Sequence, residues 1–518
     1  MDVAISFKNK IALATVCLSA VMLGLEITSV PSILPTLKNV LPADFKQLQW
    51  IMNAYTIAMC TVLVAMGALA DRFGRKRVFV VGVIVFGIAS LICGLATSAA
   101  VLIAARVLQG LSAAAMLSCQ VAILSQQFRS GAERGVAFAW WGVIFGLGLG
   151  FGPIVGGAIL LVLSWEWIFL IHVLISGITV MLAKFGVEES SDPNAGKIDF
   201  WGMVTLSVSV FILVYMITQG YEYGLTSTTG LLLIGVGLVS FSLFVFIEKN
   251  VKRPMFDFNA FKIRNFSAAL IGACGMNFSF WPFVIYFPIY LQSVLGYDSI
   301  TTGLTVLALT LPTIVVPPHA EKLLVKRGPS FVIPAGLFTI ALGFALIWLV
   351  VVTEYASWIT LIPGCVLAGT GLGLTNTPVT NTATGSLPPE RVGMASGMDF
   401  SARMISLAVN IAIMGYVLTK SVEIALSDVI KESVPLFELS RIVNEISAGN
   451  LLSGEYYGIT STAAHSALIS GFSWVVLYAA IAPLMLGWIC AVVSEKHTTS
   501  ENSCGNNTPC NKDAYTTV

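Results

Sequence analysis

G-A-L-A-D-R-F-G-R-K-R, residues Gly67 to Arg77, is a short basic turn punctuated by glycine and set between two apolar runs. Each run is long enough for a helix to cross a bilayer. Four side chains of the turn, Arg72, Arg75, Lys76 and Arg77, are cationic. Basic loops stay on the cytoplasmic side of a membrane, so the turn is expected there, and that placement orients every other span.

Composition agrees with a membrane setting. The 518 residues are 56% hydrophobic and 11% charged, with a mean hydropathy of +0.87, whereas a soluble domain carries about 25% charged residues. A net charge of +1 argues against a nucleic-acid partner, which needs a basic excess on one face. The nine cysteines show no metal or disulfide spacing, and Cys60, Cys93, Cys274 and Cys365 read as small core residues inside apolar runs. The tail pair Cys504 and Cys510 has no histidine or third cysteine beside it. Lys8 and Lys10 precede an apolar run reaching about Val30 that contains Glu26. That run reads as a first membrane span rather than a cleaved signal.

In all there are fourteen apolar stretches of spanning length, this first one included, at about 11–30, 49–70, 78–98, 101–123, 136–160, 166–185, 199–217, 229–248, 266–290, 302–318, 330–352, 357–378, 394–418 and 466–493. The tenth is short and carries Pro312, Pro317 and Pro318. With both termini inside, 21 of the 28 Lys and Arg residues fall in cytoplasmic segments. Only Lys38, Lys46, Lys420, Lys431 and Arg441 fall outside, and Arg106 and Arg403 lie within spans. Adding or deleting one span would turn the basic linker around Lys249 to Arg264 outward, so an even count stands.

An acidic linker, Glu188 to Asp199, follows span six and a basic one, Glu248 to Asn265, follows span eight. They divide the chain into six, two and six spans. The expected units are an N-terminal bundle over 1–187, two inserted helices over 188–265, a C-terminal bundle over 266–495 and a polar cytoplasmic tail over 496–518. The external segment 419–464 reads either as a cover over the outer mouth or as a partly ordered loop. The turn after span ten, E-K-L-L-V-K-R-G from Glu321 to Gly328, occupies in the second six the place of Gly67 to Arg77 in the first. Paired six-span halves are a transporter architecture.

These residues resemble the major facilitator superfamily, and within it the fourteen-span drug/proton antiporter family, over nearly the whole chain. Gly67, Asp71, Gly74, Arg75 and Lys76 match the loop signature G-x-x-x-D-x-x-G-R-K. Arg106, Gln109 and Gly110 match R-x-x-Q-G of span four. Gly146, Gly150, Gly152, Pro153, Gly156 and Gly157 match the glycine and proline pattern of antiporters in span five. Trp165, Trp167 and Phe169 resemble the W-x-W-x-F start of span six, and Leu23 to Pro35 resembles the span-one motif. The family pattern has aspartate at Glu26, asparagine at Pro31, arginine at Glu166 and asparagine at His172. The resemblance implies an all-helical fold of two six-helix bundles plus two inserted helices. It also implies export of amphiphilic or cationic molecules in exchange for protons.

Intramembrane charge points to the same places, because a charge at the bilayer centre costs at least ~2.5 kcal/mol and is retained for a reason. Glu26 is the candidate proton or cationic-substrate site, or else an interfacial glutamate reaching headgroup water. Arg106, with Gln109 on the next turn, is its expected partner. Asp399 and Arg403, four apart on span thirteen, read first as a self-neutralising pair and second as a gate. Gly146, Gly150 and Gly157 are expected to admit a neighbouring helix, and Pro153 to bend the span. Among the aromatic and methionine residues Trp140, Trp141, Met276, Phe278, Phe280, Trp281 and Phe283, the pair Asn277 and Trp281 is the expected substrate contact of the second half.

No G-x-x-x-x-G-K-[ST] loop and no soluble domain for nucleotide hydrolysis are present. The chain therefore reads as a gradient-driven transporter rather than an enzyme, needing no cofactor or metal and no oligomer, in a bacterial cytoplasmic membrane. A dedicated exporter of one metabolite, such as a siderophore, is the alternative, and a transport-inactive sensor or scaffold the second. In the turn itself, Asp71 is expected at the N-terminus of span thirteen and Arg75 against Glu133. Together they would latch the bundles in an outward-facing state.

Overall fold

The computed structural model describes residues 6–494 apart from 34–35, 38–39, 42, 44, 130, 193–198, 224–226, 252–253, 255, 354, 428–435 and 453–457. Cys504, Cys510, Lys38, Lys431 and Pro35 lie outside the described residues. Those described contain helices and no strand, as expected where lipid offers no partner for backbone N–H and C=O groups. Thirteen helices are long and apolar enough to cross a membrane, or fourteen with one bent pair counted as a span.

The first half contains α1 (Phe7–Ser32), α2 (Phe45–Phe73), α3 (Arg75–Gly94), α4 (Ala99–Gln127), α5 (Gly131–Val162) and α6 (Trp167–Gly186). The inserted pair is α7 (Phe200–Tyr223) and α8 (Thr228–Asn250). The second half begins with α9 (Arg264–Asn277) and α10 (Phe280–Ile289), one span broken at Phe278 and Ser279 and ending in a π turn over Tyr290–Val294. It continues with α11 (Ser299–Thr310), α12 (Pro312–Val315), α13 (Pro317–Arg327), α14 (Pro329–Val352) and α15 (Trp358–Gly385). Last come α16 (Val392–Leu426), the short α17 (Leu436–Ser447) and α18 (Ser461–Val493).

Side chains supply what the helix ends lack. Ser98, Ser227, Asp298 and Thr460 each accept a hydrogen bond from the backbone three residues on, and Ser357 with Thr360 forms a capping box. The apolar faces serve both lipid and core, so small residues mark the helix contacts instead. A Cβ on Gly364 of α15 would stand 2.8 Å from the carbonyl oxygen of Gly343 on α14. One apolar core runs through α1–α6 and another through α9–α18. Val210 and Val214 of α7 and Phe244 of α8 pack on Ile57 and Val64 of α2 and on Ala408 of α16. The insert thus lies along the seam between the halves.

Two expectations about span bounds change. Span ten does not stop at residue 318. It bends by 44° between Val315 and Pro317 and continues as helix to Arg327, because proline at a helix start needs no N–H. Glu321, expected in a turn, is therefore helical and 2% exposed. In the external segment, α17 lays Ile442, Val443 and Ile446 into the core of the second half.

Candidate functional site

The Gly67–Arg77 signature acquires a physical reason from the way α2 meets α16. Gly67 and Asp71 are four apart on one face of α2. A Cβ on Gly67 would collide with the carbonyl oxygen of Gly393, so glycine lets the N-terminus of α16 come close. Asp71 then accepts hydrogen bonds from the backbone N–H groups of Gly393 and Met394, each at 2.9 Å. These are orphan donors of a helix N-terminus, where the helix dipole also favours an anion. Gly74, with φ at +106°, turns the chain into α3. Glu189 of the acidic linker accepts from the N–H groups of Lys76 and Arg77.

Arg75 does not pair with Glu133. Its Nη2 donates to Asp71 at 2.8 Å and to the carbonyl oxygen of Pro389 at 2.7 Å. The loop ahead of α16 is brought back over the turn, and its carbonyl reaches the guanidinium. Nearby, Arg391 binds Asp257 at 2.5 Å. Partial burial works against the Asp257 carboxylate, but the N–H and side chain of Asn259 and the Arg391 guanidinium hold it below its ordinary range.

A second tie at the basic end joins α5 to the other half. Arg134 donates to Asn381 at 2.6 Å and to Thr384 at 2.9 Å on α15. Asn381 in turn donates to the buried carboxylate of Glu321 at 2.6 Å. Above this, a Cβ on Gly142 would strike Thr377, and one on Gly146 would rest 3.6 Å from Thr313. Further along α5, Gly150 and Gly157 have nothing within 4 Å, and neither does Gly303 on α11. The halves touch at the basic end and part toward the other.

The expected close approach of Gly150 and Gly157 is therefore absent from this state. The helix contact of α5 is carried by Gly148 and Gly152 on another face. A Cβ on Gly148 would stand 2.9 Å from the carbonyl oxygen of Val21 and 3.0 Å from Gly24 of α1, and one on Gly152 would collide with Thr28. Gly156 is buried, and Pro153 lies within the continuous helix α5.

In the first half, Glu26 and Arg106 form an ion pair with 0% and 2% exposure. Glu26 is thus no interfacial residue reaching headgroup water. His172 of α6 places Nε2 3.0 Å from its second oxygen. Arg106 also donates to the carbonyl oxygen of Ile51 at 3.0 Å and to Gln109 at 2.9 Å, and it stacks on Tyr55. Gln109 donates to Ser90 at 2.9 Å. Gly110 lets α4 approach Tyr55 and Ala58 of α2. Every member of this network is buried, and none lines the central cavity between the halves.

In the second half, Arg403 Nε donates to Asp399 at 2.9 Å, so the two do pair along α16. Arg403 also binds the side chain and carbonyl oxygen of Asn376, and it donates to Thr380 at 2.7 Å. Thr380 in turn donates to Asp399 at 2.8 Å. Asp399 is fully buried, whereas Arg403 reaches the wall of a cavity of ≈480 Å³ between the halves. That volume suits a drug-sized molecule.

The cavity wall is mainly apolar. Leu23 and Ile27 come from α1, Phe145 from α5, and Val214 and Ile217 from the inserted α7. Asn53, Thr56, Asn277 and Asn376 add neutral polar groups. The expected pair Asn277 and Trp281 lies on this wall, on either side of the break between α9 and α10. Met276, Phe280 and Phe283 are instead buried in the core, Trp141 is held by Gln120 and Phe145, and Trp140 is exposed.

His172, Glu321, Arg134, Asn376 and Asn381 were missed as site residues. For α15 a signal existed. The run T-N-T-P-V-T-N-T over Thr375–Thr382 puts Asn376 with Thr380, and Thr377 with Asn381, four apart inside an apolar span.

The comparisons with known proteins bear on this geometry. A family model described as Major Facilitator Superfamily matches residues 16–410. The chain is 32% identical over 416 residues to the multidrug resistance protein Stp of Mycobacterium tuberculosis, covering 80% of this chain and 76% of that one. It is 30% identical over 413 residues to the quinolone resistance protein NorB of Staphylococcus aureus, covering 79% and 88%. The crystal structure of the human organic anion transporter MFSD10 superposes with a TM-score of 0.61 at 14% identity, over 92% of this chain and 99% of that one.

Proposed function

Because the chain belongs to the major facilitator superfamily, we propose that it exports amphiphilic small molecules in exchange for protons, by alternating access, from a bacterial cytoplasmic membrane. The observation that carries this reading is the central apolar cavity between halves that are hydrogen-bonded to each other at the basic end, through Asp71, Arg75 and Arg134. Such a shape fits the outward-facing member of a rocking pair of states. The names of the similar proteins, multidrug and quinolone resistance, favour organic toxicants over one dedicated metabolite. The apolar wall does so too, since a hydroxyl-rich chelator would leave its polar groups unpaired there.

Glu26 is the proton site in this reading. It does not line the cavity, so a proton there does not occupy the place of the substrate. It acts through α1, whose Leu23, about one turn before it, and Ile27, the next residue, lie on the cavity wall. Neutralising Glu26 would free Arg106 and His172 to repack against α2 and α6. The Asp71 latch then holds the cytoplasmic ends closed until the cycle releases it.

The test is substrate-dependent loss of a preformed pH gradient in inverted vesicles containing the full chain, with amphiphilic dyes and quinolones as probes. Wild-type vesicles should lose the gradient when a probe is added, and Glu26→Gln vesicles should not. A wild type that moves probes with no gradient response would sink the antiport reading.

A further inference from the structure

We propose that the cavity selects amphiphiles bearing a carboxylate or similar anionic group, and that Arg403 is the residue that recognises it. This rests on the reading of the cavity as the substrate site, and it narrows the substrate class that family resemblance leaves broad.

Charge distribution carries the argument. Among the described residues lining the cavity, Arg403 is the one ionisable side chain. The two carboxylates that a cationic substrate would need are turned away. Asp399 is fully buried beside Arg403, and Glu26 is fully buried between Arg106 and His172. A cation entering this space meets the guanidinium end of the Asp399–Arg403 pair first, with the carboxylate behind it, across an apolar wall where the nearer charge is poorly screened. An anion meets attraction.

The hydrogen bonds of Arg403 leave room for such a ligand. Only Nε is given to a carboxylate, Asp399. The terminal nitrogens rest on neutral acceptors: the side-chain and backbone oxygens of Asn376, the hydroxyl of Thr380 and the sulfur of Met276. Exchanging a neutral amide oxygen for a carboxylate adds the attraction of opposite charges to a bond the guanidinium already makes, and guanidinium matches carboxylate geometry bidentately. Asn376 itself lines the cavity, so rotating its side chain exposes an Arg403 N–H and turns the amide donor toward the same anion. Two of the three rings on the wall are already engaged: Phe400 is covered by Arg403 at 5.5 Å and Phe145 is stacked on Trp141 at 5.8 Å, which leaves Trp281 as the remaining ring for a cation.

The test is equilibrium binding to the purified full-length protein in lipid nanodiscs, with norfloxacin, its methyl ester and ethidium as probes. The acid and the ester differ in one negative charge. Wild type should bind the acid tighter than the ester by roughly tenfold or more, as expected for a charge-assisted hydrogen bond, and ethidium more weakly than the acid. Arg403→Gln should remove the difference and Arg403→Lys should restore part of it. The double variant Asp399→Asn with Arg403→Gln removes both charges and so leaves no unpaired carboxylate; it too should bind acid and ester alike. Equal binding of acid and ester by wild type, tighter binding of ethidium, or a preference that survives in the double variant would each overturn the proposal. Binding needs no gradient. Failed proton exchange with a retained acid preference therefore sinks only the antiport reading, and equal binding with intact exchange sinks only this one.

Discussion

Glu26–Arg106 and Asp399–Arg403 are both acid–guanidinium pairs within the membrane, yet they are built differently. The first is closed on all sides: His172, Gln109, Ser90, Tyr55 and the carbonyl oxygen of Ile51 complete it. The second is closed on one side. Asp399 is buried, and the guanidinium of Arg403 faces a cavity through acceptors that are mostly neutral. What the contrast teaches is that residue type identifies an intramembrane site, whereas the packing around it assigns the role. A sealed pair suits a proton, which needs no space, and a pair at a wall suits a ligand.

Breaking the sealed pair should have the largest effect. Arg106→Gln leaves Glu26 buried without its main counter-charge, and removal of one partner of such a pair costs about 3–5 kcal/mol. Thermal unfolding of the detergent-solubilised protein should show a large loss of stability. Arg403→Lys, which keeps the charge, should lose far less, and equal losses would erase the distinction between the two pairs.

Asp71→Asn comes next. It removes the charge from the two hydrogen bonds to the N-terminus of α16 and from Arg75, an expected bias of about 3 kcal/mol between states. Export should fall to roughly a hundredth of the wild-type rate with normal membrane insertion, since the basic residues that set topology remain. A full rate would refute the latch.

The same contrast between closed and open surfaces runs along α5. Gly24→Ala would press a methyl group to 2.9 Å from the backbone of Gly148, an overpacking that costs about 1–3 kcal/mol. Gly150→Ala adds its methyl to open space and should change stability by less than about 0.5 kcal/mol. Melting temperatures of the two variants separate these cases, and a Gly150→Ala loss as large as that of Gly24→Ala would mean that the outer gap closes in the resting protein.

The apolar lengths and basic loops made the membrane class and the span count readable, because both follow from the solvent the chain must cross. Glu26 and Arg106 stood out as charges in a bilayer, and their pairing was what the family resemblance implies, spans one and four lining one cavity; the placement of Asp71 at the start of α16 was expected from the helix dipole. Three features were not. The partner of Arg75 depends on the return of the loop over Pro389, which no local pattern encodes. Glycine spacing in α5 shows that helices approach, but it does not tell the glycines that meet α1 of the same half, Gly148 and Gly152, from those with open space before them, Gly150 and Gly157. Glu321 looked like a loop residue by charge, and a bend among prolines swings it into the interface. His172 stood out only as a departure from the family pattern, since a single imidazole in an apolar span names no partner.

In the proposed cycle Glu26 carries the exchanged proton while the substrate sits elsewhere. It is tested most directly by following proton release on norfloxacin binding, with a pH-sensitive dye, in weakly buffered nanodisc samples of wild type and Glu26→Gln. The account predicts proton release from wild type, and from Glu26→Gln near-normal binding with no release. Proton release of wild-type size from Glu26→Gln would contradict it.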